Sequence, residues 1–292
     1  MGLRTDLALE SAQAINATIT KPYPGISQKE FEKAGCIVTH IVVETDEASK
    51  ALGKPTGEYV TIETKGHAGF DSFPDDFDEQ VDMLAHEISR LSTPDGDVLV
   101  IGLGNDDITP DALGPMVANQ VFATRHIPKE MPGFEDFAGL RSVSALAPGV
   151  LGKTGIEVAE VARAVCDKIK PSVVIAIDAL ACSEISRLGK TIQISNTGIS
   201  PGSGVKNSRK ELSQKTLNAP VISLGVPTVV DMQTIAEAIT GQEIEKSEYR
   251  DMMVTPRSVD KLLEHTSKLI AYGINKAFQP DMSIEDITSL IG

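Results

Sequence analysis

Two long apolar runs constrain the fold of this chain more than any other feature of its sequence. They are Val98-Leu-Val-Ile-Gly-Leu103 and Val173-Val-Ile-Ala-Ile177. Runs in which apolar residues do not alternate with polar ones are typical of strands that helices cover on both faces. The segments between and after these runs show helical spacing. The pattern therefore predicts an α/β protein with a mainly parallel, twisted sheet flanked by helices.

An aspartate lies beyond each run. Asp178 directly follows the second run, and Asp111 lies in the first turn of a predicted helix, with Thr109 as its N-cap and Pro110 at its first position. In such sheets the reacting groups collect beyond the carboxyl ends of the strands. We therefore expect Asp111 and Asp178 to face each other across one cleft, as a carboxylate pair suited to acid–base hydrolysis. A structural role stays open as an alternative, because carboxylates also stabilise helix N-termini and cap turns.

Strand and helix patterns alternate along most of the chain. We expect its 292 residues to form one α/β domain, in which residues 36–65 are an added β-rich segment. The predicted strands cover residues 36–43, 58–63, 97–103, 142–147, 172–178, 191–195 and 220–226. The predicted helices cover residues 6–16, 77–91, 109–124, 156–168, 208–216, 228–240, 257–278 and 284–291.

The composition excludes several classes of partner. A formal net charge of −14 disfavours nucleic acids and anionic membranes, since both are bound by clustered Lys and Arg. No apolar run approaches the roughly 18 residues of a membrane span, so the expected location is the cytoplasm. Cys36, Cys166 and Cys182 form no Cys-x-x-Cys pair and are expected to be reduced and buried. The five histidines show no metal-ligand spacing, so we expect no metal and no other cofactor.

Two glycine-containing segments suggest anion binding. Gly152-Lys153-Thr154 resembles the end of a P-loop, although Ala147 stands where the loop needs its first glycine. A non-catalytic nucleotide-binding module therefore stays as an alternative from another functional class. The second segment is the loop that contains Gly198, Gly202, Ser203 and Gly204. Its backbone amides are candidates for contacts with a substrate strand or an oxyanion.

Several longer motifs follow one another in order along the chain. They are Gly102-Leu-Gly-Asn105, Thr109-Pro-Asp-Ala-Leu-Gly-Pro115, Ala147-Pro-Gly-Val-Leu-Gly-Lys-Thr-Gly155, Ala176-Ile-Asp-Ala-Leu180, Asn196-Thr-Gly-Ile-Ser-Pro-Gly-Ser-Gly204 and Leu224-Gly-Val-Pro-Thr-Val-Val-Asp231. Together with Arg4-Thr-Asp-Leu-Ala8 and the C-terminal helices, they resemble the spore germination protease family over essentially the whole chain.

The resemblance implies a function and a catalytic pair. It implies an endopeptidase that degrades small acid-soluble spore proteins in the spore core during germination, and that forms a homotetrameric zymogen. The catalytic aspartates of the family correspond to Asp111 and Asp178. The family is similar in fold to hydrogenase maturation peptidases, whose equivalent carboxylates bind a metal together with a His. No His of this chain can be assigned to that position, but a metallopeptidase that uses the same two carboxylates stays as an alternative.

The resemblance also implies self-processing near the N-terminus. The family prefers an acidic residue before the cut, then an apolar residue and Ala after it, and Asp6-Leu7-Ala8 fits that order. The scissile bond is therefore expected between Asp6 and Leu7, so that residues 1–6 are released. A terminal segment this polar is expected to be frayed.

Of the catalytic pair, Asp111 is expected to be the ionised member because it lies near a helix N-terminus.

Overall fold

The computed structural model describes residues 5–16, 23–65, 69–70, 76–127, 139–202, 210–242 and 252–291. Within these ranges, nine strands form one sheet in the order β1-β2-β3-β7-β8-β6-β4-β5, and β9 also pairs with β8. The strands are β1 (Ile26–Lys33), β2 (Cys36–Val43), β3 (Gly57–Thr64), β4 (Val98–Gly102), β5 (Val143–Leu146), β6 (Val173–Cys182), β7 (Thr191–Ser195), β8 (Val221–Asp231) and β9 (Met253–Val254).

The sheet has a parallel part and an antiparallel part. Strands β5, β4, β6 and β8 run parallel to one another. Strand β7 pairs antiparallel with both β8 and β3, and β2 and β1 continue the antiparallel part to the edge. Residues 36–65, expected as an added β-rich segment, supply two of these antiparallel strands. The expected α/β architecture, a large sheet flanked by helices, is confirmed.

Helices cover both faces of the sheet. They are α1 (Ala8–Asn16), α2 (Asp46–Leu52), α3 (Phe77–Leu91), α4 (Leu113–Ala118), α5 (Leu151–Thr154), α6 (Val158–Ile169), α7 (Gln214–Leu217), α8 (Met232–Thr240), α9 (Val259–Phe278) and α10 (Ile284–Ile291). Among the described helices, none combines the length and the apolar character that crossing a membrane requires.

The alternation of side chains along β4 separates two apolar layers. Val98 and Val100 belong to a large core with residues of α3, α4 and α9. Leu99 and Ile101 point the other way and belong to a core with residues of α6 and α7. Successive residues of a strand face opposite sides of its sheet, so a strand buried on both sides must be apolar throughout. This requirement explains the continuous apolar run of β4.

Two strands are longer than the sequence analysis predicts. Strand β6 continues past Asp178 to Cys182, and β8 continues past Val226 to Asp231, because residues 179–182 of β6 pair with residues 226–230 of β8. The helix predicted over 228–240 therefore begins only at Met232. The prediction that Asp178 ends its strand was wrong.

The helix predicted over 109–124 is also wrong in its extent. Residues Thr109–Asp111 form a 3-10 turn, and α4 ends at Ala118. The helix ends there because the backbone N–H groups that follow it donate to other elements of the fold. The Phe122 N–H donates to Asn275 Oδ1 of α9 at 2.8 Å, and the Thr124 N–H donates to Val143 O of β5 at 2.9 Å. Thr109 begins the turn itself, so the N-cap predicted there is not formed.

Candidate active site

Strand β4 stops short of Asp178. The pairing of β4 with β6 ends at Gly102 and Ile177, and the Leu103 N–H donates to Ile177 O at 2.8 Å. Asp178 is therefore the first residue of β6 that lacks β4 as a neighbour. Its side chain is only 5% exposed, and its Oδ1 atom accepts a hydrogen bond from the Ala179 N–H at 3.0 Å. The interrupted strand leaves room beside a buried carboxyl group.

The turn that carries Asp111 lies next to this gap. The Asn105 N–H donates both to Asp111 Oδ2, at 2.9 Å, and to Asp111 O, at 3.1 Å. Gly104 has φ +116°, and a Cβ atom there would overlap the carbonyl oxygen of Asp111, so only glycine fits. The Thr228 hydroxyl of β8 donates to Pro110 O at 2.7 Å. Asn105 therefore fixes the Asp111 carboxylate, and Thr228 fixes the backbone of the turn that carries it.

Asp111 and Asp178 line the same cavity, which has a volume of about 370 Å³. A second cavity of about 350 Å³ lies alongside and is also lined by Asp178. Asp6 and Gly202 line both cavities, and Gly198 lines the second one. Ser203 and Gly204 lie outside the described residues. The structure thus brings together the two predicted catalytic aspartates, the residue before the predicted self-processing bond and part of the predicted loop.

Residues 1–4 of the segment expected to be frayed lie outside the described residues, but the segment is docked at Asp6. The Asp6 N–H donates to Ala181 O at 3.0 Å, and Asp6 Oδ2 accepts from the Ala181 N–H at 2.9 Å. Leu7 is fully buried in a cluster with Leu180, Cys182 and Val230. Beyond the end of β4, this segment therefore occupies the open edge of β6.

A buried carboxylate fixes the chain after Leu7. Glu10 accepts hydrogen bonds from the N–H and the hydroxyl of Ser183, at 2.8 and 2.6 Å, and from the Glu184 N–H at 3.0 Å. Arg187 lies 3.8 Å from Glu10 and donates to Gln13 Oε1 at 2.7 Å. Removing such a buried acceptor would leave several donors unsatisfied. This network holds the start of α1 against the chain that follows β6.

Two side chains that the sequence analysis did not single out contact the Asp6 carbonyl oxygen. The ammonium of Lys54 donates to Asp6 O at 2.9 Å, and Gln193 Nε2 donates to the same atom at 3.0 Å. Burial lowers the pKa of Lys54, and the charges of Asp6 and Glu10 partly offset this effect. Neither residue has a clear signal in the sequence. Gln193 is one of three polar residues that alternate with apolar ones in β7, and the sequence around Lys54 contains no motif.

The P-loop-like segment does not present its donors to a phosphate. It forms the short helix α5, in which the N–H groups of Lys153 and Thr154 donate to Val150 O at 2.9 and 3.1 Å. The Lys153 ammonium lies 2.6 Å from carboxylate oxygens of both Asp106 and Asp107, and hydrogen bonding to them raises its pKa. A nucleotide phosphate would have to compete with two carboxylates, so this segment is a poor nucleotide site.

The described histidines do not line the cavities of the aspartate pair. They are His40, His86, His126 and His265, whereas His67 lies outside the described residues. Among the described residues, no group of three or more His, Cys, Asp and Glu side chains is arranged to hold a metal ion. The two cavities place the carboxyl groups of Asp111 and Asp178 next to a docked peptide segment.

Comparisons with known proteins identify the family of this chain. The family model for germination protease matches residues 4–246. The chain is 40% identical to the germination protease of Clostridium tetani (strain Massachusetts / E88), with 100% of both chains covered. It is 41% identical to that of Caldanaerobacter subterraneus subsp. tengcongensis, with 100% of this chain and 98% of the relative covered. Among solved structures, the [NiFe] hydrogenase maturation protease HycI from Thermococcus kodakarensis KOD1 aligns with 63% of this chain and 98% of its own, at 16% identity and a TM-score of 0.33. The chain belongs to the germination protease family.

Proposed function

We propose that this protein is an endopeptidase that degrades small acid-soluble spore proteins during germination, and that Asp111 and Asp178 activate the attacking water. The observation that carries the proposal is the cavity that both carboxyl groups line in a member of a protease family. Because these substrates are spore proteins, we propose that the enzyme acts in the spore core.

The pair would act as one acid and one base. We propose that the two carboxyl groups lie close enough in this cavity to disfavour ionisation of both, so that they share a proton near the working pH. Asp178 is the more buried of the two, and burial favours the neutral carboxylic acid. Both carboxyl groups accept a backbone N–H hydrogen bond, which favours a carboxylate, so the difference in burial is what distinguishes them. We therefore assign Asp111 as the base that takes a proton from water and Asp178 as the acid that protonates the leaving amine.

The docked N-terminal segment supports a zymogen that processes itself. Asp6 lines the same cavity as the catalytic pair and occupies the edge of β6 that a substrate strand would use. Its carboxylate accepts the Ala181 N–H, which gives a physical reason for an acidic residue before the cut. We propose that the bond between Asp6 and Leu7 is the first bond that the enzyme hydrolyses. Until that cut, the segment occupies the place of a protein substrate.

We also propose that four copies of the chain assemble. This proposal rests on the resemblance to the family, because single exposed apolar side chains such as Ile239 are common on protein surfaces and do not mark an interface.

Replacement of each catalytic aspartate by asparagine tests the mechanism. Asp111→Asn and Asp178→Asn should each lower kcat for a small acid-soluble spore protein by about 10²–10⁴, because asparagine has the shape of aspartate but cannot carry the proton. Asp107→Asn is the matched control, since Asp107 lies in the same loop region but is exposed and paired with Lys153. Circular dichroism verifies the fold of each variant. Turnover near that of the parent in a folded Asp111 or Asp178 variant would remove that residue from the mechanism.

The same assay separates this proposal from the metallopeptidase alternative. After dialysis against a strong chelator, residual metal is measured by elemental analysis and activity is measured again. The carboxylate-pair mechanism predicts unchanged activity. Activity that is lost and then restored by one particular divalent ion would instead support metal-bound water at Asp111 and Asp178.

A further inference from the structure

The Asp6 carbonyl oxygen has an unusual pair of hydrogen-bond donors. Lys54 Nζ and Gln193 Nε2 lie 2.9 and 3.0 Å from it, and they come from different parts of the fold. Two donors that converge on the carbonyl oxygen of a peptide bond are placed to bind the negative charge that this oxygen acquires during hydrolysis. This carbonyl belongs to the peptide bond that the proposed self-processing would break.

Gln193 contacts both sides of that bond. Its Nε2 atom donates to Asp6 O, and its Oε1 atom accepts from the Ala8 N–H. The side chain is buried in β7, whose neighbours Ile192 and Ile194 are apolar core residues. A polar group in such a position is costly unless both its donor and its acceptor are satisfied. The docked segment satisfies both the donor and the acceptor of Gln193, and Gln193 thereby holds the segment on both sides of the Asp6–Leu7 bond.

Lys54 is held in place by its own backbone. It follows the C-terminal Gly53 of α2, its N–H donates to Ser49 O at 3.2 Å, and its carbonyl oxygen accepts from the Ser49 hydroxyl at 2.7 Å. The side chain is half-buried and reaches Asp6 O, with a second, longer contact to Thr5 O at 3.4 Å. A neutral carbonyl does not require a partly desolvated ammonium, but a carbonyl oxygen that becomes negative gains strongly from one.

We propose that Lys54 and Gln193 form the oxyanion-binding site for hydrolysis of the Asp6–Leu7 bond. The inference rests on the proposed function, because it adds groups that bind the negatively charged carbonyl oxygen to the acid and the base that the aspartate pair supplies. Both residues touch the reacting carbonyl group, so both act as catalytic residues in this step.

The step balances with the groups already described. The water oxygen attacks the carbonyl carbon of Asp6 and gives its proton to the ionised carboxylate of the pair. The electron pair of the carbonyl double bond moves to the oxygen, where Lys54 and Gln193 bind it. When the carbonyl re-forms, the bond to the Leu7 nitrogen breaks, and the protonated carboxyl group gives its proton to that nitrogen. The products are a new carboxyl group on Asp6 and a new amine on Leu7.

The rate of self-processing in two variants tests the proposal. Full-length parent, Lys54→Met and Gln193→Glu are shifted to mildly acidic pH, and the first-order loss of residues 1–6 is followed by intact-mass spectrometry. Lys54→Met removes the charge and keeps the alkyl chain, and Gln193→Glu keeps the acceptor for Ala8 but loses the donor. Loss of one oxyanion-hole donor typically costs about 10²–10³ in rate, so each variant should be slower by that factor. Lys50→Met, in the neighbouring helix α2 and exposed, should process at the rate of the parent.

Hydrogen exchange distinguishes stabilisation of the oxyanion from simple anchoring of the segment. Glu10 and Leu7 hold the segment independently of Lys54, so the amides of residues 7–11 should stay protected in Lys54→Met. Slow processing together with lost protection would overturn the proposal, and so would parental rates in Lys54→Met. Cleavage of a small acid-soluble spore protein by the parent is measured separately. A parent that degrades this substrate but never cuts at Leu7 overturns the oxyanion site alone, whereas a parent without any peptidase activity overturns the proposed function.

Discussion

At the residue scale, the three cysteines are buried thiols. Burial raises the pKa of Cys36 and of Cys166 to about 11, and that of Cys182 to about 12. A thiol in the unfolded chain ionises near pH 8.5. We predict that iodoacetamide labels none of the three in the native protein at pH 8 and all three after unfolding in urea, as counted by mass spectrometry. Rapid native labelling of Cys182 would show that the end of β6 opens.

The same pKa shifts have a consequence for stability. Because the folded thiols keep their protons at a pH where the unfolded thiols lose them, the unfolded chain binds fewer protons above about pH 8.5. The buried thiols therefore contribute fully to the free energy of unfolding below about pH 8.5. This contribution is lost as the pH rises from there toward the pKa values of the folded thiols, about 11 to 12.

Sequence patterns can locate some residues of the site and not others. Asp111 and Asp178 are predictable because each lies beyond an apolar run, although Asp178 reaches the cavity at the point where β4 stops and not at the end of its own strand. Lys54 has no such signal, since it contacts the docked N-terminal segment, which itself lies on the edge of β6. That docking depends on contacts between residues more than 100 positions apart, such as Asp6 with Ala181, which local periodicity does not contain.

At the element scale, α4 approaches β4 unusually closely. A Cβ atom on Gly102 would overlap the carbonyl oxygen of Gly114 and lie 2.9 Å from the Ala118 Cβ. A Cβ atom on Gly114 would overlap the backbone of Leu103 and lie 2.7 Å from Ile177 O. The two glycines therefore set the distance between the helix and the strands. Asp111 lies in the turn directly before this helix, so its position depends on that distance.

Gly114→Ala tests this dependence. The added methyl group has no space, so we predict a loss of about 1–3 kcal/mol in the free energy of unfolding from urea titration. Displacement of Asp111 should also lower peptidase activity by about 10- to 100-fold. Gly152→Ala is the matched control, because a Cβ atom there has no neighbour within 4 Å and Ala is the better helix residue. Equal stability and activity in Gly114→Ala and Gly152→Ala would contradict the packing described here.

The elements that sequence analysis predicts best are those with strong periodicity. Strand β2 and helices α3 and α10 have the predicted bounds, and reciprocal hydrogen bonds between Ser283 and Asp286 cap the start of α10. Strand β1 is missed because seven of its eight residues are exposed, so no apolar pattern marks it. Helix 208–216 is observed only as α7 from Gln214, and residues 203–209 lie outside the described ranges.

At the scale of the whole molecule, the cleft exists because one strand ends early. Strand β4 stops at Gly102 while β6 and β8 continue, which leaves an unpaired edge on β6. Asp6 bonds to Ala181 on that edge, in the way that a peptide adds to an exposed strand. We propose that the same edge receives an extended substrate once residues 1–6 are released and the segment moves.

Self-processing is the direct measurement of the central claim, that the aspartate pair hydrolyses a peptide bond held on the edge of β6. Full-length parent and Asp178→Asn are incubated separately at mildly acidic pH, and intact-mass spectrometry identifies the N-terminus of each. We predict a new N-terminus at Leu7 in the parent, with release of residues 1–6, and an unchanged chain in Asp178→Asn, because the variant keeps the docked segment but lacks the proton donor. Identical trimming of both chains would show that the aspartate pair does not make the cut and would contradict this account.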